Sequence, residues 1–220
     1  MTQVYRDRSG RRLEDYPRPS VAVDVALLTM LPADEPTLGV LQVRGERRGW
    51  ALPGTFLHPG ERLVDAALRC LTDKAGVSGM HPRQLHVFDD PVRDDRGWVL
   101  SAAHVDACPV DRLADRTPNS TRIVPVATPG RLPFGHGDII ELAVDDLRRR
   151  YARDPDPAGF LGRAFTLREL RAVHQAVAGK DLQRDTFRRS VQDGLVPTGR
   201  MSEGLRGRPA ELFTRGEWCS

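Results

Sequence analysis

Apolar residues in this chain follow two rhythms. In the first two thirds they come in short, β-branched-rich runs. Val21–Met30 reads as a buried strand, broken by the Pro-Ala-Asp-Glu-Pro stretch that follows, and Leu38–Arg44 reads as its hairpin partner. Further strands are expected over Gln84–Phe88, at the end of the segment Val92–Val105, and over Ile123–Val126. Helical spacing appears at Leu63, Ala66, Ala67, Cys70 and Leu71, an i, i+3, i+4, i+7, i+8 stripe with Gly76 placed to stop it. Another helix is expected over Asp138–Tyr151. Strands of mixed direction with helices before and after them predict an α/β/α sandwich with a mixed sheet.

The rhythm then changes. Ala152–Gly159 is a linker by composition. Phe165–Lys180 reads as a helix opened by a capping box, Thr166 to Glu169, with Leu167, Leu170, Val173 and Val177 on its apolar face and Gly179 at its end. A second short helix is expected over Asp185–Gln192, capped by Asp185, with Phe187 and Val191 facing the core. Two short strands around a glycine- and arginine-rich tip follow, up to Phe213. Helix, turn, helix and basic β-hairpin is the order of a winged helix-turn-helix.

Composition narrows the class. The 220 residues, 40% hydrophobic and 29% charged, describe a soluble globular chain of one large or two small domains. No apolar run approaches the roughly 18 residues of a membrane span, and the first residues lack the apolar core of a secretory signal. Cys70, Cys108 and Cys219 form neither a disulfide framework nor a metal cluster, so a reducing cytoplasm is expected. His104 and Cys108, in one strand, would stand about 13 Å apart, too far for a shared zinc ion. The net charge of +3 is unevenly spread: residues 161–220 carry 11 basic and 7 acidic groups, the rest 22 and 23. The positive excess lies where phosphate contact is expected.

The segment Trp50–Val77 resembles the Nudix box, G-x5-E-x7-R-E-U-x-E-E-x-G-U. Glu61, Arg69, Leu71, Gly76 and Val77 fall on motif positions; the opening glycine is Thr55, and the three metal-side glutamates are Cys70, Asp73 and Lys74. Pyrophosphate hydrolysis needs a divalent cation held by hard oxygens. A thiol and an ammonium in place of two carboxylates predict no metal and no catalytic residue. The resemblance implies that Glu61 pairs with Arg69 structurally; Cys70, on the apolar stripe, reads as a small buried hydrophobe.

The C-terminal stretch is similar to the winged helix of Nudix-related transcriptional regulators of bacterial NAD metabolism. The matching pieces are Phe165–Leu170, Gly179–Ser190 and Gly207–Phe213, with departures at Gln183, Thr186 and Ser190. The resemblance covers roughly residues 20–215 and implies an N-terminal arm (1–20), a Nudix-like effector domain (21–152), a linker (153–163) and a winged helix-turn-helix (164–216). It implies ADP-ribose or a related NAD metabolite as effector, with Arg44, Arg47, Arg48, Trp50, Arg93, Arg96 and His136 as candidate ligand-binding residues. Trp50 has packing, and His136 a structural role, as the competing use. Arg184, Thr186, Arg188, Arg189, Arg200, Arg206 and Arg208 are the candidate DNA contacts, on a double-stranded, palindromic operator bound by a homodimer, with no membrane partner. A solvated turn or face is the alternative for each of these charges. Arg188 and Arg189 splay about 100° apart on a helix, so they cannot face one base. The expected function is a ligand-responsive repressor. The competing readings are a sensor of a different sugar phosphate and an active Nudix pyrophosphatase. The latter would draw metal ligands from Glu46, Asp65 or Asp94 and leaves room for residual ADP-ribose hydrolysis.

Overall fold

The computed structural model describes residues 5–31, 35–45, 49–202 and 209–216. The long central strand β1 (Ser20–Leu31) is buried on both faces and pairs on one edge with β6 (Val99–Ala107), in parallel. Along its other edge it pairs antiparallel first with β4 (Gly54–Phe56) and then with β2 (Thr37–Arg44). β3 (Trp50–Ala51) and β7 (Thr121–Pro125) extend β2, and β5 (Arg83–Phe88) extends β6, giving a mixed seven-stranded sheet. The expected hairpin between the first two strands is present.

Alternation along β1 sorts the layers. Val23, Val25 and Leu27 face α1 (Leu63–Cys70) through Ala66 and Ala67. Ala26, Leu28 and Met30 face α2 (His136–Tyr151) through Ile139, Ile140, Ala143 and Leu147. Side chains of period two on a strand reach opposite faces, so one sequence run serves two helical layers. The box helix keeps its predicted stripe but widens after Cys70 into a π-type turn, Leu71–Ala75, closed by Gly76 at φ 69°. A Cβ there would also meet Thr117 Oγ1 at 2.9 Å, so glycine suits both the backbone and the space.

The C-terminal part contains α3 (Leu167–Ala178), α4 (Arg184–Val191) and an antiparallel sheet of β8 (Phe165–Thr166), β10 (Glu211–Arg215) and β9 (Leu195–Met201). The capping box is formed: the Glu169 amide donates to Thr166 Oγ1 at 3.2 Å, and the Thr166 amide donates to Glu169 at 2.7 Å. Phe187 and Val191 are buried with Phe165 and Leu170, as expected. The cap of α4 differs from the expectation. Gln183, not Asp185, caps it, its side-chain oxygen accepting from the Thr186 amide at 2.7 Å. The helix starts one residue earlier than its pattern suggested, which leaves Asp185 in the first turn, where its charge favours the helix dipole.

The segment read as a linker is packed. Asp156 is buried and accepts from the Tyr151 hydroxyl at 2.6 Å, from the Phe160 and Leu161 amides, and from the Arg215 guanidinium. Its Pro/Asp/Gly composition makes a tight turn rather than a free tether. Val173 and Val177 of α3 join α2 and the sheet in one apolar cluster, so the C-terminal part shares a core with the sandwich.

Candidate effector site and nucleic-acid interface

A buried polar cluster lies where β1, β4 and β6 meet the start of α2. Its centre is Asp24, which accepts from the Ser101 hydroxyl. Arg93 Nη2 lies 4.0 Å from one carboxylate oxygen. His136 Nε2 lies 3.3 Å from the other, a close polar contact without hydrogen-bond alignment. His136 Nδ1 accepts from the Leu52 amide at 3.0 Å, which fixes the ring. Burial pushes the Asp24 carboxyl upward, but His136, Ser101 and Arg93 outweigh it and hold the group below its ordinary value. Gly54 pairs with Asp24 across the sheet, and a Cβ at Gly54 would collide with the carboxylate.

Around this cluster the arginines are held by rings. Arg93 donates to the Phe134 carbonyl and lies 5.8 Å from the Phe88 centroid; its buried Nε has no hydrogen-bond partner among the described residues. Phe134 adopts φ 55°, a left-handed conformation costly for a non-glycine residue. Arg96 binds Asp94 through Nε and Nη2 at 2.9 and 2.8 Å, and lies 5.0 Å from the Phe56 and 4.4 Å from the Phe134 centroid. Trp50 is half-buried between Arg44 at 5.0 Å and Arg122 at 4.5 Å. Cations over aromatic faces are attracted by the ring quadrupole.

Of the sequence candidates, Arg93 and His136 thus converge on Asp24, and Arg96 stands beside them. Arg44 and Trp50 form a separate group with Arg122. Arg47 and Arg48 lie outside the described residues, as does Glu46. Sequence reasoning missed Asp24, Ser101, Arg122, Phe56 and Phe134. Only Asp24 carried a signal, as the one charged residue inside an otherwise apolar buried strand.

The box loop is clamped by Arg69, whose Nε and Nη2 bind both oxygens of Glu61 at 2.7 and 2.9 Å. Arg69 and the His58 amide, which also donates to Glu61, hold that carboxyl down at about 2. Arg69 further donates to Thr55 Oγ1 and to the Phe56 carbonyl. Cys70 is buried, and burial pushes its thiol up to about 12. Lys74 donates to the Gly54 carbonyl at 2.6 Å. Asp65 is taken by Arg62, and Asp94 by Arg96. A divalent cation, which the Nudix resemblance implies, does not fit this set. The thiol stays protonated, Glu61 is committed to arginine, and an ammonium holds the carbonyl. Among the described residues no three His, Cys, Asp or Glu side chains group as metal ligands.

On α4, Arg184, Thr186, Arg188 and Arg189 are all exposed. Arg189 Nε folds back to the Asp185 carbonyl at 3.3 Å, whereas Arg188 extends from another face. Arg200 is exposed near the outer end of β9; Arg206 and Arg208 lie outside the described residues. The structure therefore gathers the α4 candidates on the outer surface of a helix whose inner face holds Phe187 and Val191.

Comparison with known proteins gives these features a family. Residues 157–214 match the NrtR DNA-binding winged helix domain. Shewanella oneidensis NrtR, in a crystal structure with a 27mer DNA, superposes with a TM-score of 0.72 at 30% identity, over 89% of this chain and 93% of that one. The chain belongs to the NrtR family. The ADPR responsive transcriptional repressor NtrR of Acinetobacter baylyi is 28% identical over 210 residues, 90% of this chain and 83% of the repressor. The Nudix domain of S. oneidensis NrtR, crystallised with ADP ribose, shares the sandwich fold: TM-score 0.52, 24% identity, over 63% of this chain and 95% of that domain. The fold is thus a Nudix sandwich followed by a winged helix, as NrtR membership requires. No helix among the described residues is long and apolar enough to cross a membrane.

Proposed function

We propose that this protein is an ADP-ribose-responsive transcriptional repressor. The carrying observation is the joining of two surfaces in one core: a buried cluster of cations and aromatic rings on the Nudix sheet, and an exposed arginine-bearing helix in the winged helix. The likeness to an ADPR-responsive repressor along 90% of the chain supports the same reading.

Residues 21–152 form the effector-binding part, 164–216 the DNA-binding part, and 153–163 the packed join. The pyrophosphate of ADP-ribose is taken by Arg96 and by the guanidinium of Arg93 beside it. His136 positions Leu52 and Asp24 rather than reaching solvent. Trp50, flanked by Arg44 and Arg122, offers its ring edge and these cations to a base; Arg47 and Arg48, outside the described residues, are the remaining candidate cations. On the operator, Arg184, Thr186 and Arg188 read base edges while Arg189 and the wing, including Arg200, Arg206 and Arg208, contact phosphate. The protein acts as a homodimer on a palindromic site, and effector weakens binding by favouring a second arrangement. It is not an enzyme: Glu61 is held by Arg69, Cys70 is buried and Lys74 holds the Gly54 carbonyl, so incubation with ADP-ribose and excess magnesium should release no more than traces of AMP.

Selection of duplexes from a random library, followed by anisotropy titration of the winning duplex with and without ADP-ribose, tests the reading. The expected result is a palindromic consensus whose affinity falls about 5- to 150-fold with effector. A bound duplex indifferent to ADP-ribose would leave only a DNA-binding protein.

A further inference from the structure

Three cations converge on three consecutive residues of β4. Lys74 Nζ sits 2.6 Å from the Gly54 carbonyl. Arg69 holds Thr55 Oγ1 at 3.3 Å and the Phe56 carbonyl at 3.0 Å. Arg96 covers the Phe56 ring at 5.0 Å. Two of the three are neutralised, Arg69 by Glu61 and Arg96 by Asp94. Lys74 is exposed, and among the described residues no carboxylate pairs with it. An ammonium carries three donor hydrogens, and the carbonyl uses one.

Hard cations in phosphate sites take carbonyl and carboxylate oxygens from the protein and complete their shell with phosphate oxygens. Here the Gly54 carbonyl is taken, and the side chain that takes it, from the turn after the box helix, is itself the cation.

We propose that Lys74 is a built-in counter-ion. Anchored on the Gly54 carbonyl, its ammonium contacts the pyrophosphate of a nucleoside-diphosphate sugar directly, so effector binding needs no divalent metal. This rests on the sensor reading above and specifies how that site meets its ligand. Lysine is a compact point charge on a flexible stem, suited to phosphate without fixed coordination geometry. It neutralises charge but cannot bind and acidify a water as a divalent metal does. One residue therefore keeps the affinity and withholds the nucleophile. The neighbouring Arg69–Glu61 clamp holds the carbonyl strand still, so the ammonium is placed before ligand arrives.

Calorimetric titration of the full chain with ADP-ribose, in EDTA and in magnesium, decides this. Wild-type protein should bind equally in the two buffers. Lys74→Met keeps the apolar stem and removes the charge; it should weaken binding roughly 10- to 100-fold in both, as expected for one charge-assisted contact. Lys74→Arg should retain most of the affinity. Thermal midpoints without ligand should stay near wild type for both variants, while the rise induced by ADP-ribose shrinks only for Lys74→Met; a purely structural lysine would instead lower the ligand-free midpoint. Wild-type binding that appears only with magnesium overturns the proposal and leaves the sensor reading intact. So does Lys74→Met binding as tightly as wild type in EDTA. No binding of ADP-ribose by wild type in either buffer overturns both.

Discussion

The sheet mouth and the outer face of α4 use arginine in opposite ways. At the mouth, Arg93 is buried against Asp24 and the Phe134 carbonyl, and Arg96 lies between two rings with Asp94 behind it. On α4, Arg184 and Arg188 stand in solvent, with no carboxylate partner among the described residues. The difference matches the two ligands proposed above. A small molecule offers few contacts, so each donor must be placed in advance and its freedom removed before binding. A duplex offers a long row of phosphates, and affinity there comes from charge and released counter-ions, which tolerate mobile side chains. Mutations should therefore cost folding at one surface and only binding at the other.

The largest effect is expected at the buried carboxylates. Asp24→Ala strands Arg93 and His136, and Asp156→Ala strands Arg215 and the Tyr151 hydroxyl. Removing one partner of a buried pair costs about 3–5 kcal/mol. Urea denaturation should show a lower midpoint for both variants, and a change of under 1 kcal/mol would mean that neither buried carboxylate holds the fold. Next comes Arg188→Ala. Operator affinity should fall about 5- to 150-fold if the residue reads a base, while stability stays within about 0.5 kcal/mol. An equal loss on unrelated duplexes, with a salt dependence shallower by about one, would move Arg188 to phosphate.

The smallest effect is on acid sensitivity. Burial lowers the pKa of His104 and of His174. The native state then holds fewer protons than the unfolded chain, so stability rises with pH and is lost as pH falls below the ordinary histidine value of 6.5. His174→Gln should lower the midpoint at every pH through the lost ring packing and, as the smaller effect, flatten the slope between about pH 5 and 7. Identical slopes would assign the sensitivity elsewhere.

Much of this fold was readable from periodicity, and little of the mouth was. β1, β2 and the four helices carry their burial in their spacing, and Thr166 with Glu169 announces a helix start within four residues. The Asp24 cluster joins residues 24, 54, 93, 101 and 136 only through sheet pairing and the entry of α2, which no local pattern records. Ser101 and Phe134 have ordinary surroundings in sequence; burial and a left-handed backbone give them meaning. The same blindness made Asp156 look like linker. Its role depends on Arg215, 59 positions away.

The ring stack at the join has a consequence for the operator itself. Tyr151 of α2, His174 of α3 and Phe187 of α4 meet edge to face, with centroids 5.0 and 4.9 Å apart. Asp156 is tied to Arg215 of β10, so α4 and the small sheet both pack onto the same join. In a paired molecule, the separation of the two reading helices would then be a ruler with one adjustable joint, the contact between subunits. Inserting a single base pair at the centre of a palindrome should abolish tight binding rather than soften it, because that pair turns one half-site away from a helix held to the sheet by this packing.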